Sequence, residues 1–168
     1  MKKLCVLLAV LFLLSLTGCS WNNIRIEDHT WALLCASKTN DDTFLACSSN
    51  YAESFGDGLK FEDLVIVDVV CTATDGELTF TDKTNDKTYE ATYEFTNENR
   101  WSFQNSRSTI YGVKMDGELG MASTYNDKPV RNRYRFDAAE ARYMLTVMVG
   151  DYSAIFIAEE MLEEVFPT

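Results

Sequence analysis

Three arginines recur at every second position, Arg131, Arg133 and Arg135, with Asn132, Tyr134 and Phe136 between and after them. In an extended strand that spacing puts three guanidinium groups on one face. Each can grip a carboxylate or phosphate through paired hydrogen bonds, so the strip is a candidate site for an anionic ligand or an acidic partner. The alternation equally describes a solvated outer face that guards an edge against pairing. Cysteines are the second candidate. Cys47 lies in Leu45-Ala46-Cys47-Ser48 and Cys71 in Val69-Val70-Cys71-Thr72, both strand-like runs. An exported chain can oxidise them, and a Cys47–Cys71 bridge is the expected pairing; three buried free thiols, with Cys35, are the alternative. No C-x-x-C occurs and the single histidine is His29, so no zinc site is expected. Asp28-His29 could hold an oriented base, but no nucleophile accompanies it. Neither Gly-x-Ser-x-Gly nor a glycine-rich phosphate cradle is present, and the acidic loops lack EF-hand spacing. The chemistry-bearing residues therefore predict a non-enzymatic protein with no cofactor and no metal.

The N-terminus carries a different chemistry. Lys2 and Lys3 precede an uncharged apolar run from Leu4 to Leu14. Cations that stay behind and an apolar run that enters the bilayer make a secretory signal. The run ends near Leu16, short of the about 20 apolar residues of a membrane span. Leu16-Thr17-Gly18-Cys19 resembles the lipobox of bacterial lipoproteins, an aliphatic residue and two small ones before a cysteine. The resemblance implies cleavage between Gly18 and Cys19 and acylation of the Cys19 thiol. Several acyl chains on one residue anchor stably, at about 0.8 kcal/mol for each buried CH₂. The expected location is the cell envelope, lipid-anchored. Ser20 after the cysteine implies the outer membrane in a diderm cell; in a monoderm cell the anchor sits in the outer leaflet of the cytoplasmic membrane.

The expected division is residues 1–18 as signal, 19–28 as lipidated cysteine and tether, and 29–168 as one domain. The precursor carries 15 basic and 26 acidic residues, a net charge of −11. Loss of Lys2 and Lys3 makes the mature chain more acidic by two. Such a chain is not expected to bind nucleic acid, whose affinity rests on cations against phosphate. Anionic headgroups would repel it, so lipid must do the anchoring.

Hydrophobic periodicity supplies the elements. Runs of period two, broken by turn residues, predict strands near 30–37, 43–48, 64–73, 77–82, 87–96, 108–115, 118–125, 130–136, 142–149 and 152–158. Asp75-Gly76 and Asp116-Gly117 are two-residue hairpin signals. Residues 50–63 read as loop or a short helical turn. Met161, Leu162, Val165 and Phe166 share one helical face, which predicts a short C-terminal helix or an extension of the last strand. Tyr89, Ala91, Tyr93 and Phe95 alternate with polar residues, as in an antiparallel strand with one wet side. The fold class is all-β: an up-and-down meander that closes into a small barrel and so removes its edges.

Trp31 opening the first strand, then Gly76-Glu77-Leu78-Thr79-Phe80-Thr81-Asp82 and Lys87-Thr88-Tyr89-Glu90-Ala91-Thr92-Tyr93, resemble the lipocalin-like domains of bacterial lipoproteins, within the calycin barrels. The opening differs from the lipocalin Gly-x-Trp, having His29-Thr30-Trp31. The likeness implies a binding shape. Trp31, Tyr89, Tyr93, Tyr111, Tyr125 and Tyr134 are the candidate ligand-lining residues. Two functions compete: a solid barrel that meets an envelope protein through an outer face, placed first, and a hollow one that holds a small apolar or amphipathic ligand. The second requires a contiguous cavity of a few hundred Å³ opening at one end. Oligomeric state is not legible.

Overall fold

Two-residue hairpins need two consecutive positive φ angles, which Asp-Gly tolerates. In the computed structural model Asp75 and Gly76 take 51° and 85°, and Asp116 and Gly117 take 50° and 86°. Each turn joins strands whose apolar residues alternate, so each hairpin buries one face. The structure describes residues 25–39, 43–54, 64–99, 108–125 and 143–166. Ten strands are present among these: β1 (Trp31–Lys38), β2 (Thr43–Cys47), β3 (Val65–Ile66), β4 (Val69–Thr74), β5 (Glu77–Asp82), β6 (Lys87–Asn99), β7 (Ser108–Met115), β8 (Glu118–Tyr125), β9 (Met144–Val149) and β10 (Tyr152–Ala158). Two short helices, α1 (Ser49–Ser54) and α2 (Leu162–Val165), and 3-10 turns at Ile26–Asp28 and Glu159–Met161 complete the set.

From β4 to β10 every strand pairs antiparallel with the next, and β10 returns to β1, which also meets β4. Strands β1 and β4–β10 are therefore a closed eight-stranded antiparallel barrel, as the alternation predicts. The short C-terminal helix is present, reached through a 3-10 turn. The expected strand at 130–136 lies outside the described residues.

One expected strand is divided. Residues 64–73 form β3 and β4, separated by Val67 and Asp68. Asp68 is the reason for the break. Its carboxylate accepts from Ser49 N–H (3.0 Å) and from the Ser49 hydroxyl (3.0 and 3.1 Å), while its own N–H donates to Thr84 Oγ1 at 2.9 Å. The chain turns there, and β3 is left parallel to β2, outside the ring.

The ring is tight at one place and splayed at another. β1 pairs with β4 only through Trp31↔Cys71 and Ala32↔Val70. Farther along, at residues 35–38, its partner on that side is β2. A register shift between Leu33 and Cys35 against β10 marks the bend. β1 and β4 thus diverge, and the β1–β2 hairpin fills the angle.

Inner positions follow from register. Leu78, Phe80 and Asp82 of β5 face the interior, opposite Ala73, Cys71 and Val69 of β4. Trp31, Tyr111, Phe156, Leu78 and Leu145 are all at most 2% exposed. Burying a large apolar side chain contributes about 1.5–3 kcal/mol, so this face holds most of the stabilisation.

Candidate functional site

The two ends of the barrel differ in chemistry. One is sealed by the 3-10 turn Ile26–Asp28. The Ile26 N–H donates to Tyr111 Oη at 3.0 Å, and the Ile26 carbonyl accepts from Trp31 Nε1 at 2.8 Å. Tyr111 is on β7 and Trp31 on β1, strands four places apart in a ring of eight. The turn is thus held from opposite walls and spans the floor. Tyr93 donates to Glu27 Oε1 at 2.7 Å and packs edge-on against Tyr111, with ring centres 5.6 Å apart. Burial first, and the Glu27 carboxylate second, push the Tyr93 hydroxyl up to about 12. Burial also raises Tyr111. Both phenols stay protonated: Tyr93 donates to Glu27, and Tyr111 accepts from the Ile26 N–H.

His29 belongs to this end. It stacks on Tyr143 (5.0 Å between centres), meets Trp31 edge-on (5.4 Å) and pairs through Nδ1 with Glu160. The Asp28 carboxylate accepts from Arg25 N–H at 2.9 Å instead of orienting the imidazole. His29 ties the entry of β1 to the C-terminal turn.

The other end is hollow. A cavity of about 330 Å³ opens there, walled on β1 and β2 by Leu33, Ala36, Leu45 and Ala46. Val67 and Val69 lead into the opposite wall, with Phe80 beneath, and Val147, Val149, Ala154 and Phe156 close the side of β9 and β10. Phe80 and Phe156 pack ring against ring at 5.9 Å. Met115 of β7 completes the lining. Polar groups occur at few points: Ser37, Ser153, Tyr152 and Asp82. Tyr152 is 58% exposed, which places it at the rim. The Asp82 carboxylate is occupied elsewhere. Oδ1 accepts from Thr84 and Asn85 N–H, both 3.0 Å, and Oδ2 from Asn85 Nδ2 at 2.8 Å. The side-chain hydrogen bond from Asn85, with the two backbone ones, holds Asp82 below the usual carboxylate value. The splay between β1 and β4 makes this space, because β2 and the Val67–Val69 segment stand where a tight pair would have closed it.

The aromatic candidates fall elsewhere. Trp31, Tyr93 and Tyr111 form the sealed end. Tyr89 is half exposed near the β5–β6 turn. None of the four lines the cavity, whose wall is mostly aliphatic. The backbone of Tyr125 ends β8, but its side chain lies outside the described residues, as do Tyr134, Arg131, Arg133 and Arg135. Gly18 and Cys19 lie outside them as well. Sequence reasoning missed Leu45, Val69, Val147 and Val149; their only signal was apolar alternation, which a filled core shares.

The Cys47–Cys71 bridge is corrected. Cys35, Cys47 and Cys71 are all free and buried. Cys71 is opposite Phe80 and Trp31 on the inner face, whereas Cys47 is opposite Cys35, which is itself opposite the outward Ile155. The two thiols are on different faces of the sheet. Among the described residues, no group of three or more His, Cys, Asp or Glu is placed to hold a metal ion, and no helix is long and apolar enough to cross a membrane.

Comparison with known proteins found no matching family model, no matching curated protein and no matching solved structure. The barrel is lipocalin-like in shape; its function has to be argued from the site.

Proposed function

We propose that this chain is a lipid-anchored envelope protein whose barrel binds a small apolar ligand at its open end, without catalysing a reaction. The observation that carries the reading is the cavity of about 330 Å³, within the size range of small-molecule sites and lined mainly by aliphatic side chains. Placing an apolar molecule there removes both its surface and the wall from water, at about 25 cal/mol per Å². The hydroxyl of Tyr152 at the rim suits a ligand with one polar end. Asp82 nearby disfavours an anionic one. Export and acylation at Cys19 rest on the lipobox-like segment Leu16–Cys19. In that setting the anchor fixes the domain at a membrane, from which apolar ligands partition.

The test is titration with the neutral fluorophore N-phenylnaphthylamine, whose emission rises in apolar surroundings. Saturable enhancement is expected, reduced at least about tenfold in apparent affinity by Ala154→Phe, which fills the wall. Equal enhancement in both proteins would remove the cavity from the account.

A second reading has its own observation. Leu119 is 82% exposed and Met121, two residues along the same face of β8, is 39% exposed. Exposed apolar pairs on a strand suit a protein partner. The interaction module expected from sequence would use that outer face, and the two roles are compatible on one barrel.

A further inference from the structure

Cys35 and Cys47 are direct partners across the β1–β2 hairpin. Opposed residues in an antiparallel pair alternate between those that exchange hydrogen bonds and those that do not, and the latter stand closer, with Cα atoms about 4.5 Å apart. The Ser48 N–H donates to the Leu34 carbonyl at 3.0 Å. That bond joins the residue after Cys47 to the residue before Cys35, so the cysteine pair is of the close, non-hydrogen-bonded kind. Disulfides accept Cα separations of about 4.4–6.8 Å, which this pair type satisfies without moving the backbone. Both side chains are buried, at 3% and 0% exposed, and point to the same side of the hairpin. Cys71 is on the inner face, across the sheet.

We infer that Cys35 and Cys47 form a cross-strand disulfide when the chain folds in the presence of a disulfide oxidant, stapling the hairpin at the edge of the cavity. The balance is that of thiol–disulfide exchange. One cysteine thiolate attacks the oxidant's disulfide and displaces a thiol; the second attacks the mixed disulfide, forms the Cys35–Cys47 bond and releases the other thiol. Two protein thiols are oxidised, and one small-molecule disulfide is reduced. Burial pushes the folded Cys35 thiol up to about 12, with Cys47 adding to the effect, and burial raises Cys47 as well. The bond therefore forms while β2 is undocked, before the thiols are sealed. Among the described residues the ladder pairings of β2 are those with β1 and the two-residue β3, so few strand bonds have to open. The next register pair, Ala36 and Ala46, lines the cavity, so the staple acts one step from the ligand wall. Its formation does not depend on whether the cavity binds anything.

The test uses the full chain with Cys5→Ser and Cys19→Ser, both outside the described fold, refolded in detergent with a glutathione redox buffer. Remaining thiols are alkylated in denaturant and the linked peptides are mapped by mass spectrometry. The expected product has lost two hydrogens, carries a Cys35–Cys47 linked peptide and takes alkyl label only at Cys71. Relative to the reduced form it melts about 5–10 °C higher, because the bond closes a loop of about a dozen residues. A linked peptide containing Cys71, a glutathione adduct left on Cys35 or Cys47, or three alkylated thiols after oxidative refolding would each overturn the assignment.

Discussion

Trp31 is fully buried, and its one polar atom has one partner, the Ile26 carbonyl. Trp31→Phe keeps an aromatic six-membered ring but removes the pyrrole ring with its donor, leaving a buried carbonyl unpaired and a small void. The expected cost is about 1–3 kcal/mol, read from urea unfolding. Asp82 makes an argument about pH. Its folded carboxyl is held below the ordinary value, chiefly by Asn85. The stability it contributes is therefore complete above the unfolded value near 4, and is lost as pH falls through the folded value. Asp82→Ala should be less stable than the parent at pH 7, with a deficit that shrinks below about pH 4. A deficit unchanged down to about pH 2 would show that the Asn85 contacts do not depend on the charge. At this scale the sequence was a poor guide to the site. Aromatic residues are conspicuous, so they drew the ligand-lining assignment, yet Trp31, Tyr93 and Tyr111 carry hydrogen-bonding groups that a floor needs more than a cavity does. Aliphatic residues at Leu45, Val69 and Val147 look the same whether they fill a core or line a void.

Elements were far more legible. Alternation and Asp-Gly turns are local signals, and each strand from β5 to β8 falls within a few residues of its expectation. β3 and β4 were read as one strand because Val65, Ile66, Val67, Val69 and Val70 make an apolar run interrupted by Asp68 alone. The Asp68 contacts that divide it reach Ser49 and Thr84, and no local pattern reports a partner 19 or 16 residues away. The cysteine pairing failed for a related reason: a register shift on each side of β1 changes which face a residue presents. The β8–β9 contact offers a sharp test. A Cβ at Gly120 would overlap the Met148 carbonyl oxygen and meet Val149 Cγ2 at 2.9 Å. Gly120→Ala should cost about 2–4 kcal/mol, since backbone has to move. Gly112→Ala is the control. Its Cβ meets only the Thr96 side chain closely, at 3.2 Å, and that side chain can turn, so the cost should stay under about 1 kcal/mol. Thermal melts of the two variants decide it; equal losses would mean that the β8–β9 approach is looser than described.

On the scale of the whole molecule, one barrel has two unlike ends. A 3-10 turn pinned from opposite walls seals the first, and the divergence of β1 from β4 opens the second. Closure leaves the ring without edges, while β2, outside it, borders the aliphatic cavity that the site description rests on. Sequence predicted the closure from the number and spacing of strands, but not the hollow, because hollowness depends on how two distant strands diverge. Lipidation at Cys19 and ligand binding in the barrel separate cleanly in one experiment. The full chain, produced in a bacterial host and released from detergent micelles, is weighed under native and then denaturing conditions. A mass on the order of a few hundred daltons that is present only under native conditions, and lost in Ala154→Phe, is the predicted result, beside an acyl mass on the mature chain that survives denaturation. A native mass equal to the denatured one, unchanged after incubation with envelope lipid extract, would contradict the binding account and leave the outer face of β8 as the working surface.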